Sequence, residues 1–215
     1  MIIKKERGNM GIIIIGETGS GKSTIGQIVS LKTGFDLYEI GHEVKKVYLE
    51  RVEIDQHLEI ANEKDYSTTN QRLKYTDAIV KKYGNDYYVK RILERHKSEN
   101  IIIIGARSMA EINAIRNKMH FPFFVGFTCA ENEIERRFVE RETKFMSPDE
   151  ARKIFEERKK REEKWGTDSV LTQVNTILAT DYNTPNELAD IIVSKYKEFI
   201  KQQADLEKEK DDSRC

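Results

Sequence analysis

Ile12-Ile13-Ile14-Ile15 runs directly into Gly16-Glu17-Thr18-Gly19-Ser20-Gly21-Lys22-Ser23, a complete G-x-x-x-x-G-K-[ST] loop. The unbroken β-branched block is what a parallel strand covered on both faces requires. The glycines let the backbone turn until several N–H groups point at one centre, forming a nest for an anion. At this spacing Lys22 reaches the β- and γ-phosphates of a nucleoside triphosphate, and the Ser23 hydroxyl enters a Mg²⁺ shell. Ile25, Ile28 and Val29 give the next segment a helical apolar face, so the loop opens a helix whose N-terminal dipole adds to the cradle. Gly16, Glu17, Thr18, Gly19, Ser20, Gly21, Lys22, Ser23 and Thr24 are therefore the candidate nucleotide-binding residues. Ser23 is the candidate metal ligand, and ATP with Mg²⁺ is the implied pair of small ligands.

Working outward, short apolar blocks recur at Gly11–Gly16, Phe35–Ile40, Ile101–Gly105, Phe123–Thr128 and Thr176–Ala179. Longer helical patterns separate them. Strands alternating with helices predict βαβ units, and hence an open parallel sheet with right-handed crossovers. Ligands in such sheets sit beyond the carboxyl ends of the strands, where the glycine loop already lies. Ser108 to Glu111, Ser147 to Glu150 and Thr184 to Glu187 each read as a capping box, two of them with proline at the first helical position. The last helix continues with Leu188, Ile191, Ile192, Tyr196 and Phe199 at helical spacing, which reads as core packing.

Residues 1–200 are expected to form one domain and residues 201–215 a charged, frayed and solvated tail. The stretch from Gly41 to Asn100 has no strong strand signal and is too long for a simple connection. It predicts a helical insert over about 42–98, with helices such as Glu43–Leu58 and Asp86–His96, placed to hold a second substrate.

Lysine plus arginine number 37 and aspartate plus glutamate 37, so the formal charge is zero. That balance argues against a general nucleic-acid or anionic-membrane binder. Cys129 and Cys215 match no metal-ligand spacing, which points to reduced thiols and a cytoplasmic setting. No stretch approaches the length of an apolar membrane span, and the N-terminus lacks a signal-peptide core. The expected partner is a small-molecule nucleotide, acted on by a monomer or homodimer.

Candidate chemistry beyond the loop rests on arginine. Arg107 follows the third strand and precedes a capped helix, which places a fixed cation beside the phosphate site. Arg137 and Arg141 are four apart and share a face distinct from that of Ile134 and Phe138. Arg158 and Arg161 are three apart and share another. Arginines on a helical hairpin over a phosphate loop would clamp the transferring group and exclude water. Most remaining charges of this segment read as a solvated face.

The loop, the I-G-A-R-S-M-A-E run at 104–111, the T-C-A-x-x-x-x-x-R-R segment at 128–137 and the F-E-E-R-K-K-R-E-x-x-W-G run at 155–166 resemble the nucleotide-kinase-like P-loop proteins. Among these the chain is most similar to the archaeal dephospho-CoA-kinase-like group, relatives of the nucleoside monophosphate kinases. The resemblance implies a P-loop NTPase fold of three α/β/α layers, a five-stranded parallel sheet, a helical substrate-binding insert and a helical lid over about 137–165. It implies Arg107 as a ligand of the acceptor phosphate and Arg137, Arg158 and Arg161 as lid residues, so that with Lys22 these form the candidate catalytic set.

Two departures stand out. Ile104 occupies the aspartate position of the family's D-G-x-R, and Gly41-His42 replaces its G-D. Glu39, Glu43 and Glu17 are the carboxylates available to substitute, and His42 is open between a neutral hydrogen-bonding group and a base. His42, Glu43 and Arg107 are the candidate substrate-binding residues, whereas His57, His96 and His120 read as surface residues. A phosphate acceptor is already anionic at neutral pH and needs no general base, whereas a ribose hydroxyl gains from one. A (deoxy)nucleoside monophosphate is thus the favoured acceptor. A dephospho-CoA-like acceptor, a nucleotide-binding regulator of lowered turnover and a motor-type ATPase are the competing readings.

Overall fold

The computed structural model describes residues 10–51, 69–96 and 100–212. Five parallel strands form one sheet in the order β2-β3-β1-β4-β5. They are β1 (Met10–Gly16), β2 (Asp36–Glu39), β3 (Asn100–Ile104), β4 (Phe121–Thr128) and β5 (Thr176–Ala179). The central position of β1 follows from its composition, because Ile12 to Ile15 are all fully buried. Alternation then decides which layer each isoleucine serves. Ile13, Ile15, Ile101 and Ile103 pack into one core, while Ile12, Ile14, Ile102 and Ile104 pack into the other. Each such side chain contributes about 1.5–3 kcal/mol by leaving water.

One face is covered by α1 (Lys22–Thr33) and α9 (Pro185–Asp212), and the other by α2 (Ile40–Arg51), α3 (Thr69–Tyr83), α4 (Tyr87–Arg95) and α5 (Met109–Lys118). The register sets Ile14 beside Ile104 and Gly16 beside Phe127, so the strand ends open on one edge of the sheet. All three expected capping boxes are present, at Ser108, Ser147 and Thr184.

Over the expected insert the described residues form α2, α3 and α4, with α2 starting directly off β2 at Ile40; residues 52–58 of the expected first helix lie outside the described residues. After β4 come α6 (Glu131–Glu142), α7 (Pro148–Trp165) and the short α8 (Thr167–Leu171). The hairpin of α6 and α7 carries its own small core of Ile134, Phe138 and Phe155. Two expectations are corrected. The segment read as a frayed tail is helical through Asp212, because α9 does not stop with its apolar stripe. His96, read as a surface residue, is 7% exposed at the end of α4. His57 lies outside the described residues.

Candidate active site

The loop between β1 and α1 ends on Gly21, the N-cap of α1, at φ 84° and ψ 6°. That left-handed conformation strains any residue with a Cβ. Gly19, at φ 95°, lies under α6, where a Cβ would come within 3.0 Å of Ile134. Lys22 opens α1 and is 9% exposed. Its ammonium donates to the Glu17 carbonyl and lies 3.4 Å from the Ser20 hydroxyl. Burial pushes its pKa down to about 7, and the neighbouring Arg107 guanidinium acts in the same direction. The carboxylates of Glu162, Glu17 and Glu39 oppose this shift. A polyphosphate entering the loop would favour the charged ammonium more strongly still.

The Ser23 hydroxyl donates to Glu39 at 3.0 Å, and His42 Nε2 lies 3.9 Å from the same carboxylate oxygen. Glu39 ends β2 directly opposite Ile104 of β3, so it stands beside the position where the resemblance expects an acid. Of the three carboxylates the sequence left open, Glu39 reaches the candidate metal ligand. Glu43 turns away into an ion pair with Arg91 at 2.8 Å and a second with Arg95. Glu17 lines a smaller cleft against α7. A hydroxyl and a carboxylate are hard oxygen donors suited to Mg²⁺. Among the described residues no cluster of three or more His, Cys, Asp or Glu could hold a metal by itself. That suits a cation held mainly by phosphates and water.

These groups open into a cavity of about 620 Å³. Lys22, Arg107, Arg137, Arg141 and Arg158 all line it, and so converge from the loop, the end of β3 and the α6–α7 hairpin. Arg107 is positioned through its backbone: the buried Glu111 carboxylate accepts its N–H at 2.7 Å and that of Ser108 at 2.9 Å. Burial raises the Glu111 pKa, opposed by these hydrogen bonds. Arg137 donates to the Thr180 carbonyl at 2.9 Å and to Glu133 at 2.7 Å. Arg141 and Arg158 both sit over the Phe138 ring, at 5.1 and 5.0 Å from its centroid. A buried aromatic ring holding two guanidiniums favours their charge, and Arg141 also pairs with the adjacent Glu142 at 2.7 Å. The insert side of the cavity is different, with Ile40, Val44, Val80 and Tyr88 as apolar walls and Thr76 and Asn85 as polar groups.

Of the nine loop residues singled out, Thr18, Gly19, Gly21, Lys22, Ser23 and Thr24 line the cavity, and Ser20 is fully buried. Arg161 lies on α7, but its side chain is outside the described residues. His42 and Glu43 are not among the lining residues. Sequence reasoning missed Glu162, which lies one helical turn after Arg158 and bonds to Thr18. Its only signal was that four-residue spacing from an arginine already singled out.

No protein-family model matches the chain. A cytidylate kinase of Thermoplasma volcanium is 28% identical over 204 residues, covering 90% of this chain and 95% of that protein. A shikimate kinase of Bacillus subtilis is 29% identical over 203 residues, covering 86% of this chain and 88% of that protein. The solved structure of TT1252 from Thermus thermophilus aligns with a TM-score of 0.59 at 14% identity, covering 88% of this chain and 98% of that one. These relatives support a P-loop kinase of the nucleotide or small-molecule type, and the sheet with its flanking helices has that architecture. A closer tie to a dephospho-CoA-kinase-like group is not among these findings. Among the described residues no helix is long and apolar enough to cross a membrane.

Proposed function

We propose that the chain transfers the γ-phosphoryl group of ATP to a (deoxy)nucleoside monophosphate. An oxygen of the acceptor phosphate attacks the γ-phosphorus while the bond to the β–γ bridging oxygen breaks, releasing ADP. The observation that carries this reading is the convergence of Lys22, Arg107, Arg137 and Arg158 on one cavity. Phosphoryl transfer asks for in-line positioning and neutralisation of charge, and these cations supply both. Lys22 and the loop amides take the donor phosphates, Arg107 takes the acceptor phosphate, and the hairpin arginines act as a lid over the transferring group. Mg²⁺, held by Ser23 with Glu39 behind it, would neutralise the β- and γ-phosphates.

The acceptor half favours a base over a polyol. Ile40, Val44, Val80 and Tyr88 suit a flat heterocycle, with Asn85 and Thr76 as polar groups in the same lining. The insert arginines Arg91 and Arg95 are committed to Glu43, leaving them poorly disposed to seize an acceptor carboxylate. ADP release should be measured with nucleoside monophosphates, shikimate and dephospho-CoA. Stimulation by a nucleoside monophosphate is expected; a response to dephospho-CoA or shikimate alone would reassign the acceptor. Tight ATP binding with no turnover on any acceptor would favour a regulator instead.

A further inference from the structure

Glu162 is 7% exposed on α7, yet its carboxylate reaches across to the phosphate loop. Oε2 accepts the Thr18 backbone N–H at 3.1 Å, and Oε1 accepts the Thr18 hydroxyl. Oε1 also lies 3.5 Å from an Arg107 guanidinium nitrogen. One side chain thus ties together the loop, the segment after β3 and the hairpin. A buried carboxylate is costly unless it is paired and hydrogen-bonded, so this geometry is strongly specified rather than incidental. Arg158 lies one turn earlier on the same helix and lines the same cavity. Where Glu162 docks therefore sets where Arg158 stands.

We propose that Glu162 is the positioning residue that latches α7 onto Thr18, fixing the placement of Arg158 and Arg107 around the transferring phosphoryl group. The other carboxylates near the loop have different duties. Glu39 bonds Ser23 and Glu111 caps α5, and neither belongs to the hairpin. The hairpin has a core of its own, and α6 is tied to the segment after β5 through Arg137 and Thr180, whereas Glu162 ties α7 to the loop. A hairpin that rocks on its own core would lose its register with the loop once this contact is cut. Misplacement by a fraction of a helical turn is enough to lower the rate steeply.

The test has an arm that needs no turnover. In the nucleotide-free protein the Thr18 amide should be protected from hydrogen exchange, and in Glu162→Ala it should exchange roughly tenfold faster or more. Equal exchange in the two proteins would overturn the latch whatever the enzyme does. The second arm rests on the phosphotransfer reading: kcat should fall about tenfold while the KM for ATP changes less than about twofold. Thr18→Val should lose more kcat than Thr18→Ser, which keeps the hydroxyl that Glu162 accepts from. Additive rather than overlapping losses in Thr18→Val/Glu162→Ala would count against coupling between the two. If Glu162→Ala does not fold, Thr18→Val alone carries both arms, and native kcat with native loop exchange would then refute the proposal.

Discussion

The two helical pieces flanking the cavity use arginine in opposite ways. On the insert, Arg91 pairs with Glu43 and Glu50 and Arg95 pairs with Glu43, so their charge is spent on holding α2 against α4. On the hairpin, Arg141 and Arg158 lie on the Phe138 ring and line the cavity, and Arg141 also pairs with its neighbour Glu142. One piece presents an apolar wall and the other a positive one. A substrate with a flat, weakly polar end and a phosphate end fits that polarity, and the loop lies nearest the positive side. The contrast lies in placement: the insert pair Arg91 and Arg95 brace two helices away from the cavity lining, whereas Arg141 and Arg158 are part of it.

The comparison is broken most severely at Lys22, which belongs to the positive side. Lys22→Ala should lower the turnover about a thousandfold, equivalent to about 4 kcal/mol of transition-state stabilisation. The melting temperature without ligand should hold or rise, since a buried ammonium beside Arg107 is removed. Steady-state rates with a thermal melt check both halves, and a collapse of the fold would make Lys22 a structural residue. Next comes Glu43 on the insert, where the effect should fall on stability. Removing one member of a buried ion pair costs about 3–5 kcal/mol. Arg91 and Arg95 are 26% and 37% exposed, so water recovers part of the loss. Glu43→Ala should therefore destabilise by about 2 kcal/mol in urea denaturation while leaving the KM for ATP unchanged. A selective rise in the acceptor KM with native stability would return Glu43 to the substrate site.

The sheet was legible because its information is local. Four consecutive β-branched isoleucines ending on a glycine loop read as a strand buried on both faces, and each capping box is complete within four residues. The arginines could be placed on faces by spacing, and Arg107, Arg137 and Arg158 do meet. What could not be read were the long-range polar partners. Glu162 bonds Thr18 across 144 positions, and Arg95 finds Glu43 across 52. No periodicity encodes such pairs. His96 was misread for a local reason: it caps α4, its N–H bonded to the Ile92 carbonyl, just beyond the buried stripe of Tyr88, Val89, Ile92 and Leu93. The end of α9 was misread because its charge outweighed its helix propensity, although Lys, Gln, Ala and Glu dominate it.

Glu39 gives a smaller effect and sharpens the contrast on the metal side. Its carboxylate accepts from Ser23 and lies beyond the insert's ion pairs. Glu39→Gln keeps the size but removes the negative charge, so the Mg²⁺ concentration for half-maximal rate should rise about tenfold. The maximal rate should recover when Mg²⁺ is raised. A loss that added Mg²⁺ does not reverse would assign Glu39 to the acceptor instead.

The smallest effect belongs to Arg136, the sequence neighbour of Arg137. Both pair with Glu133, whose pKa falls to about 2 through hydrogen bonds to Arg136 and Arg137. Arg136 also contacts Glu140, but its side chain is 60% exposed and it is not among the residues lining the cavity. Exposed pairs on one helix gain little, because water screens them and holding two long side chains costs entropy. Arg136→Ala should therefore leave the melting temperature near native. It should leave both kcat and KM near native, even though it removes a cation from an arginine-rich hairpin. If activity fell with Arg136 as is expected for the cavity-lining arginines, total positive charge would matter rather than its placement, and the division between arginines in and outside the cavity lining would fail.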